Sequence, residues 1–403
     1  METQYFASAS VPKAMVKFIV PTILSQLVTL LYNLADAFFV GHTDDPNQMA
    51  ALTLSFPIFM FLTAIGNLMG IGANSLISRS LGEGNLNQAK KAGLYGVYGG
   101  ILLAVLFSIV MALFMRPILT LVGASENTYA YTASYLKWTV VIGGIPTVIS
   151  LVLGHLVRAE GNTKQASMGM SIGGILNIFL DPVLISWAGM GITGAAIATA
   201  FSNCIAMLYF FSVLYRNRKK SVLTLYVKDF AFDKKIIAQI ILIGFPAALV
   251  VLLGSTANIV LTHYMALYGD INVAAFGVVQ KIGTVTIQIT MGITQGVMPL
   301  IGYNYGAGNH ARTRETSRDT FLILAIYAAA CLIVIEAFPA QMIQIFTSEA
   351  DTIQVGTAFL KCWILCTPGM CFVNLFNTIF QAMGKWQPSL FLSLFRQALL
   401  LIP

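Results

Sequence analysis

SLGEGN, at residues 80–85, returns as NYGAGN at residues 304–309, an offset of 224 residues. Basic residues follow both copies, as Lys90 and Lys91 in the first and as Arg312 and Arg314 in the second. Shorter matches recur at the same or nearly the same spacing, namely 50–51 with 274–275, 136–137 with 360–361, and 158–161 with 381–384. The chain is therefore an internal duplication of a long unit.

The composition is that of a membrane protein. Hydrophobic residues make up 57% of the 403 residues and charged residues only 10%, whereas a soluble globular chain is typically about 25% charged. Apolar runs long enough to cross a bilayer, which takes roughly 20 residues, recur along the chain. The sequence predicts ten complete spans and the start of an eleventh, at 14–40, 49–79, 92–115, 128–157, 165–187, 192–215, 236–265, 272–302, 316–338, 352–382 and from 386 onward.

Lysine and arginine alternate between the two ends of these spans. They lie around the loops after spans 2, 4, 6, 8 and 10, and seven of them fall between residues 216 and 235. The loops after spans 1, 5, 7 and 9 have none, and the loop after span 3 has only Arg116. The positive-inside rule then places the N-terminus and the long central loop in the cytoplasm. The net charge of +7 thus indicates membrane topology, and not binding of nucleic acid.

The two copies are predicted to run through the membrane in the same direction, because each unit has an even number of spans. Parallel repeats of this size are typical of transporters. The expected fold class is an all-α membrane protein with two six-helix lobes and a central cleft, having twelve helices in the full protein and about 10.5 here. We place the N-lobe (helices 1–6) at 1–215, a basic linker at 216–235 and the C-lobe (helices 7–11) at 236–403.

Two acidic residues lie deep in apolar runs, Asp36 in span 1 and Asp181 in span 5. An ionised carboxylate at the bilayer centre costs about 2.5–3.5 kcal/mol, so such residues normally face a bundle interior or a cavity and have a function. A buried ion pair or a helix-end hydrogen bond is the alternative, but the first lobe has no basic residue at helix depth to pair with them. Desolvation favours the neutral acid, so such a group could load and release a proton near neutral pH.

Polar neighbours accompany Asp181. Asn177 precedes it by one helical turn, so the two side chains share a face. Pro182 removes a backbone donor, which predicts a distortion of the helix at that point. Thr199 belongs to a polar face of span 6, beside small residues that allow close helix packing. Carboxylate and amide oxygens also bind sodium, so sodium at Asp36 and Asp181 is the alternative to a proton.

Other polar residues within the spans are candidates for the lining of a substrate cleft. Lys281 lies about nine residues from the outer end of span 8, too deep for its charge to reach the interface easily. The asparagines could instead bond neighbouring helices. The cleft candidates are Tyr32, Asn33, Asn258, Gln280, Lys281, Asn374 and Asn377.

Histidine and cysteine do not suggest a metal site. The four histidines have no metal-binding spacing, and the five cysteines all fall in apolar spans, where small packing residues are expected. We therefore expect no cofactor, no resident metal and no enzymatic activity.

Several short motifs, in order on the duplicated frame, carry a family resemblance. They are NLAD at 33–36, SRSLGEG at 78–84, RAEGN at 158–162, Asn177 with Asp181 and Pro182, and GAAIAT at 194–199. From Lys13 onward the chain resembles the MATE (multidrug and toxic compound extrusion) family, especially its MepA-like bacterial exporters. The resemblance implies antiport of drugs against protons or sodium, with a cation site around Asp36, Asn177, Asp181 and Thr199.

Three function classes are weighed. The first is a cation-coupled exporter of amphipathic or cationic drugs in the bacterial inner membrane. It would be a monomer, and its partners would be drugs, protons or sodium, and membrane lipids. The second is a lipid-linked oligosaccharide flippase of the same broad fold, which predicts a basic cleft for a diphosphate. The third is a membrane enzyme or receptor, which predicts a catalytic set or a large extramembrane domain, and the sequence has neither.

The repeat also bears on the end of the chain. Pro403 corresponds to Leu180, so the twin of Asp181 would be the next residue. Most of helix 11 and all of helix 12 would follow it. We therefore expect the 403-residue chain to be truncated and to show weak or no transport by itself.

Overall fold

The computed structural model describes residues 3–43, 45–225 and 232–397. These residues form helices and short connections, with no strand among them. Lys228 of the central loop and residues 398–403 of the predicted C-lobe lie outside the described ranges. The α-helices are α1 (Thr3–Ala7), α2 (Val11–Gly41), α3 (Pro46–Gly82), α4 (Leu86–Leu113), α5 (Met115–Val122), α6 (Glu126–Leu136), α7 (Gly144–Ala159), α8 (Thr163–Asp181), α9 (Gly191–Asn217), α10 (Lys234–Leu267), α11 (Asp270–Gly306), α12 (His310–Ala337), α13 (Pro339–Gln344), α14 (Ala350–Leu365), α15 (Thr367–Ala382) and α16 (Trp386–Leu394).

The predicted span count is confirmed for the described residues. Eight helical stretches are long and apolar enough to cross a membrane singly, and two bent helix pairs bring the number to ten. α16, where the sequence predicts the start of an eleventh span, is a helix of nine residues. Most spans extend a few residues beyond the predicted limits, because the helices continue past the apolar run. Several of them begin at a polar capping residue outside that run, as α3 does after Asp45, α4 after Asn85 and α12 after Asn309.

Spans 4 and 10 were expected to be continuous, and the structure corrects this. α6 continues into a π-helical segment, Lys137–Ile142, and α7 then leaves at an angle of 51°. α14 and α15 meet at 41°. Pro146 lies in the first turn of α7 and Pro368 in the first turn of α15, where proline lacks the amide that would continue the preceding helix. The predicted distortion at Pro182 is confirmed, since α8 changes there to a π-helical segment, Pro182–Trp187.

The repeated glycines form a reciprocal crossing of α3 and α11. A Cβ added to Gly82 would overlap the carbonyl oxygen of Tyr303, and one added to Gly306 would overlap the carbonyl oxygen of Arg79. Gly82 and Gly306 are 224 residues apart in the sequence, and so are their contact partners Arg79 and Tyr303. The contact is thus the same surface used twice, as at a two-fold axis. It agrees with the duplication that the sequence shows, and we refer to this side of the bundle as the crossing end.

Further contacts close the crossing end between the two copies. α3 packs along α10 as well as α11, while α2 packs along α11 and also along α8 of its own copy. Ser75 donates a hydrogen bond to the carbonyl of Gln381, and Arg158 donates one from Nη1 to Oε1 of Gln295 at 3.3 Å. Apart from the packing of α2 on α8, each of these contacts joins a helix of the first copy to a helix of the second.

The start of the central loop is held against the first copy by one buried glutamate. Glu160, only 1% exposed, accepts hydrogen bonds from the Ser221 hydroxyl at 2.8 Å and from the amides of Val222 and Leu223 at 2.6 and 3.2 Å. Burial raises the pKa of Glu160, and these hydrogen bonds oppose the rise. They thereby offset part of the cost of burying the carboxylate.

Substitution of Glu160 tests this attachment. Glu160→Ala removes every acceptor of the three hydrogen bonds, so we expect a local loss of about 2–3 kcal/mol and faster tryptic cleavage at Lys219 and Lys220. Glu160→Gln keeps an acceptor oxygen and should stay close to wild type. Limited proteolysis of the purified protein measures the difference. Equal protection of the Ala and Gln variants would show that the attachment depends on other contacts.

Candidate cation site

Three helices of the first copy bring the predicted cation-coupling residues together. α2 contributes Asp36, α8 contributes Asn177 and Asp181 one turn apart, and α9 contributes Thr199. All four side chains are buried, with exposures of 7%, 2%, 0% and 5% in that order. The sequence placed them in separate spans, and helix packing makes them one cluster.

The Asn177 amide is at the centre of this cluster. Its Nδ2 lies 3.5 Å from Oδ1 of Asp181 and 3.4 Å from Oγ1 of Thr199, so it links α8 to α9. The carboxyl groups of Asp36 and Asp181 interact directly with each other across α2 and α8. Close approach of α2 and α8 is possible because Gly174 faces Val28 and Tyr32 without a side chain of its own.

Several buried oxygens of the cluster have no hydrogen-bond partner among the described residues. They are Oδ1 of Asp36, Oδ2 of Asp181 and Oδ1 of Asn177. Unsatisfied buried polar atoms are costly, and in native proteins they usually serve a ligand, an ion or a water molecule. Two carboxylates in contact also repel each other when both are ionised. The arrangement therefore favours a cation or a proton between the two carboxyl groups.

Tyr135 is a member of this neighbourhood that sequence reasoning missed. It comes from α6, is 6% exposed and lies near enough to interact electrostatically with both Asp36 and Asp181. Tyr32, predicted for the cleft, also interacts with Asp36 from one turn away. The one available signal was a tyrosine inside an apolar span, which by itself is too common to point to a site.

A small cavity of about 80 Å³ adjoins the cluster inside the first copy. Asn177, Thr199 and Tyr32 line it, together with Ser202, whose buried hydroxyl has no hydrogen-bond partner. Its volume and polar lining suit a few ordered water molecules. The cluster is thus next to a polar, hydratable space within otherwise apolar helices.

Apart from Tyr32, the predicted cleft residues do not join this cluster. Asn33 is exposed and bonds the Thr29 carbonyl of its own helix, at 2.8 Å. In the second copy, Gln280 of α11 donates a hydrogen bond to Asn258 of α10, and the Lys281 ammonium lies 5.8 Å from the centre of the Phe346 ring.

Asn374 and Asn377 have separate surroundings on α15. Asn374 donates to the carbonyl of Met370 within its helix. Asn377 accepts hydrogen bonds from Ser389 at 3.1 Å and Ser393 at 3.4 Å, both on α16. The geometry at Asn377 is that of a bond between neighbouring helices, the alternative that the sequence left open.

One face of α11 packs against α2, and the residues on that face are the ones turned toward the first copy. Gly292 and Gly296 pack against α2, where an added Cβ would lie 2.7 Å from Cα of Ile23 and 2.9 Å from Cα of Ile19. Helical periodicity places Lys281 and Gln288 on the same face, nearer the start of α11. Gln288 is therefore a further cleft candidate that the sequence did not single out.

Comparison with known proteins decides the family. The MatE family model matches residues 21–183 and 246–403, which covers both copies of the repeat. The chain belongs to the MATE family. The multidrug export protein MepA of Staphylococcus aureus strain MSSA476 is 31% identical over 400 residues, which cover 98% of this chain and 87% of that protein. MepA of Staphylococcus saprophyticus subsp. saprophyticus is 31% identical over 402 residues, 99% of this chain and 87% of that protein.

Solved structures give the same assignment and confirm the resemblance read from the motifs. A multidrug resistance MATE family transporter of the MOP superfamily, solved in an outward-facing conformation, matches with a TM-score of 0.93 and 26% identity. The match covers 98% of this chain and 88% of that one. A MATE protein solved in a straight conformation matches with a TM-score of 0.92 and 25% identity, over the same shares of the two chains. The fold of this MATE protein is therefore that of a membrane transporter.

Proposed function

We propose that this MATE protein is a cation-coupled antiporter that exports amphipathic or cationic small molecules by alternating access between its two lobes. The observation that carries the proposal is the buried cluster of Asp36, Asp181, Asn177 and Thr199, with oxygens that lack hydrogen-bond partners. The related MepA proteins, named as multidrug exporters, support drugs as the substrate class. A proton is the proposed coupling ion, and sodium is the alternative.

Coupling follows from the two charge states of the first lobe, one with the coupling ion bound and one without it. Uptake of a cation relieves the repulsion between Asp36 and Asp181, so α2 and α8 pack differently in the loaded and unloaded forms. A ligand shifts the equilibrium only by its different affinity for the two states, and the effect is reciprocal. Loading of the coupling ion would thus weaken binding of the drug, and binding of the drug would weaken that of the ion.

The energy available is sufficient for such a cycle. One charge that moves through 100 mV releases about 2.3 kcal/mol. A tenfold concentration gradient of a neutral solute opposes export by about 1.4 kcal/mol. One proton per cycle is therefore enough to drive export of a neutral solute against more than a tenfold gradient.

The acidic character of the site favours export of cations over movement of a diphosphate lipid. Flipping of such a lipid needs convergent positive charge, whereas the cluster of the first lobe is built on two carboxyl groups. In the second copy, Lys281 is the cation on the face of α11 that turns toward the first copy. We propose that the substrate binds between this face and α2, with the two lobes as residues 1–215 and 236–403.

The proposed setting is the cytoplasmic membrane of a bacterium. Both the N-terminus and the crossing end would then lie on the cytoplasmic side, where the basic loops are concentrated. The lobes meet at the crossing end, so this arrangement would present the cleft to the outside.

Efflux from proteoliposomes tests the proposal and separates the two coupling ions. The purified protein is reconstituted with a fluorescent lipophilic cation such as ethidium, and a proton gradient and a sodium gradient are imposed in separate experiments. We expect the proton gradient to drive export and an ionophore that collapses it to stop export. Export driven only by sodium would assign the site to sodium, and no export under either gradient would overturn the antiporter proposal.

A further inference from the structure

A groove at the crossing end has a chemistry that the transport cycle does not use. It lies between the start of α4, the end of α9 and the central loop, and has a volume of about 780 Å³. Its described lining is Leu86, Asn87, Lys90, Phe211, Leu214, Tyr215, Arg218 and residues 221–225. None of these residues is acidic, and two of them are cationic.

The two cations come from different elements and face one space. Lys90 is on the second turn of α4, and Arg218 directly follows the last residue of α9. The groove also includes the first residues of α4, where the helix dipole favours an anion. An anion in the groove would thus meet two side-chain charges and a helix N-terminus together.

The wall of the groove that α9 forms is apolar and leads toward the membrane interior. Phe211, Leu214 and Tyr215 line the groove on α9. Tyr215 is 68% exposed, and Leu208, one heptad earlier on the same face, is 56% exposed. The end of the groove that holds Lys90 and Arg218 lies at the end of the membrane helices, which is the level of lipid headgroups.

The groove also has a fixed wall. Ser221, Val222 and Leu223 are attached to the buried Glu160, and Leu223 is itself 6% exposed. Tyr98 donates a hydrogen bond to the carbonyl of Leu225 at 2.7 Å. The loop is therefore held in place over the groove, on the side opposite α9.

We propose that this groove binds an anionic phospholipid, with the phosphate between Lys90 and Arg218 and an acyl chain along Phe211, Leu214 and Tyr215. The occupant is a lipid and not a soluble anion, because the cationic end continues into an exposed apolar face of a membrane helix. Bound lipid would join α4 and α9 of the first copy to the loop that leads into the second. The inference does not depend on the identity of the coupling ion or of the drug.

Native mass spectrometry of the detergent-purified protein tests the inference. Phosphatidylglycerol, phosphatidylethanolamine and inorganic phosphate are each titrated against wild type, a Lys90→Gln/Arg218→Gln double variant and a Lys219→Gln/Lys220→Gln double variant. Lys219 and Lys220 are exposed cations of the same loop outside the groove, so the second variant is a control with the same change in net charge. At roughly a fivefold effect for each cation, we expect the first variant to bind phosphatidylglycerol about 25-fold more weakly and the control to be unchanged.

Each other outcome counts against the lipid assignment. Equal losses in the two double variants would indicate general surface charge, and no loss in either would remove the groove as the site. Equal affinity for phosphatidylethanolamine would rule out recognition of a net negative charge. Binding of inorganic phosphate as tight as that of phosphatidylglycerol would make the occupant a soluble anion. If the Gln variant does not fold, Lys90→Arg/Arg218→Lys replaces it and must retain the preference for phosphatidylglycerol.

Discussion

Asp36→Asn and Asp181→Asn, made singly, are expected to reduce gradient-driven export to the passive leak of the liposomes. Asparagine has nearly the size of aspartate and still forms hydrogen bonds, but it cannot take up a proton. It also lacks the negative charge with which aspartate would hold a sodium ion. Each substitution also removes the repulsion between the two carboxyl groups, which the proposed cycle uses to distinguish the loaded from the unloaded form. Initial rates of efflux, with proton and sodium gradients imposed separately, measure the effect.

Asp45→Asn is the matched control for these variants. Asp45 precedes α3, and its side chain caps that helix by accepting a hydrogen bond from the Asn47 amide at 2.9 Å. Asparagine caps helices about as well as aspartate, so this variant should export at the wild-type rate. Wild-type export by both Asp36→Asn and Asp181→Asn would refute the cation-coupling role of the cluster.

Binding measurements distinguish a coupling defect from a folding defect. Drug binding to wild type should release protons, and calorimetry in two buffers of different ionisation enthalpy would detect them. The Asp36→Asn and Asp181→Asn variants should still bind drug and should release fewer protons. A variant that neither binds drug nor gives a cooperative thermal transition would have failed to fold.

Gly82→Ala and Gly306→Ala are expected to destabilise the closed crossing end by about 1–3 kcal/mol each. The added methyl group of either variant would overlap a backbone carbonyl of the other helix, Tyr303 for the first and Arg79 for the second. A backbone carbonyl cannot move aside as a flexible side chain can, so α3 and α11 would have to separate. Thermal unfolding in detergent measures the loss, and the two variants should lower the Tm by similar amounts.

Gly277→Ala gives the control on the same helix α11. An added Cβ at Gly277 has no heavy atom within 4 Å. Alanine is the better helix former by roughly 0.5–1 kcal/mol, so this variant should be as stable as wild type or more stable. A Tm at or above the wild-type value for both crossing variants would show that the lobes tolerate separation there.

Local properties of the chain determined the fold class and the principal site candidates. Hydropathy showed the spans, because a backbone in lipid must satisfy its own hydrogen bonds within a helix and apolar side chains must cover it. The repeated glycines at 82 and 306 showed the duplication. Asp36 and Asp181 stood out because the cost of a charge in an apolar run does not depend on which helix is its neighbour.

Contacts between distant helices were decided only by the tertiary structure. Membrane helices that are apolar on most sides have no strong periodicity, so the sequence does not reveal which face meets which partner. Tyr135 therefore could not be assigned to Asp36 and Asp181, nor Glu160 to the central loop. Sequence alone made Asp36 and Asp181 exceptional. Only the packing of α2, α6, α8 and α9 brought them into one buried cluster, because burial and mutual contact depend on how the helices are rotated against one another.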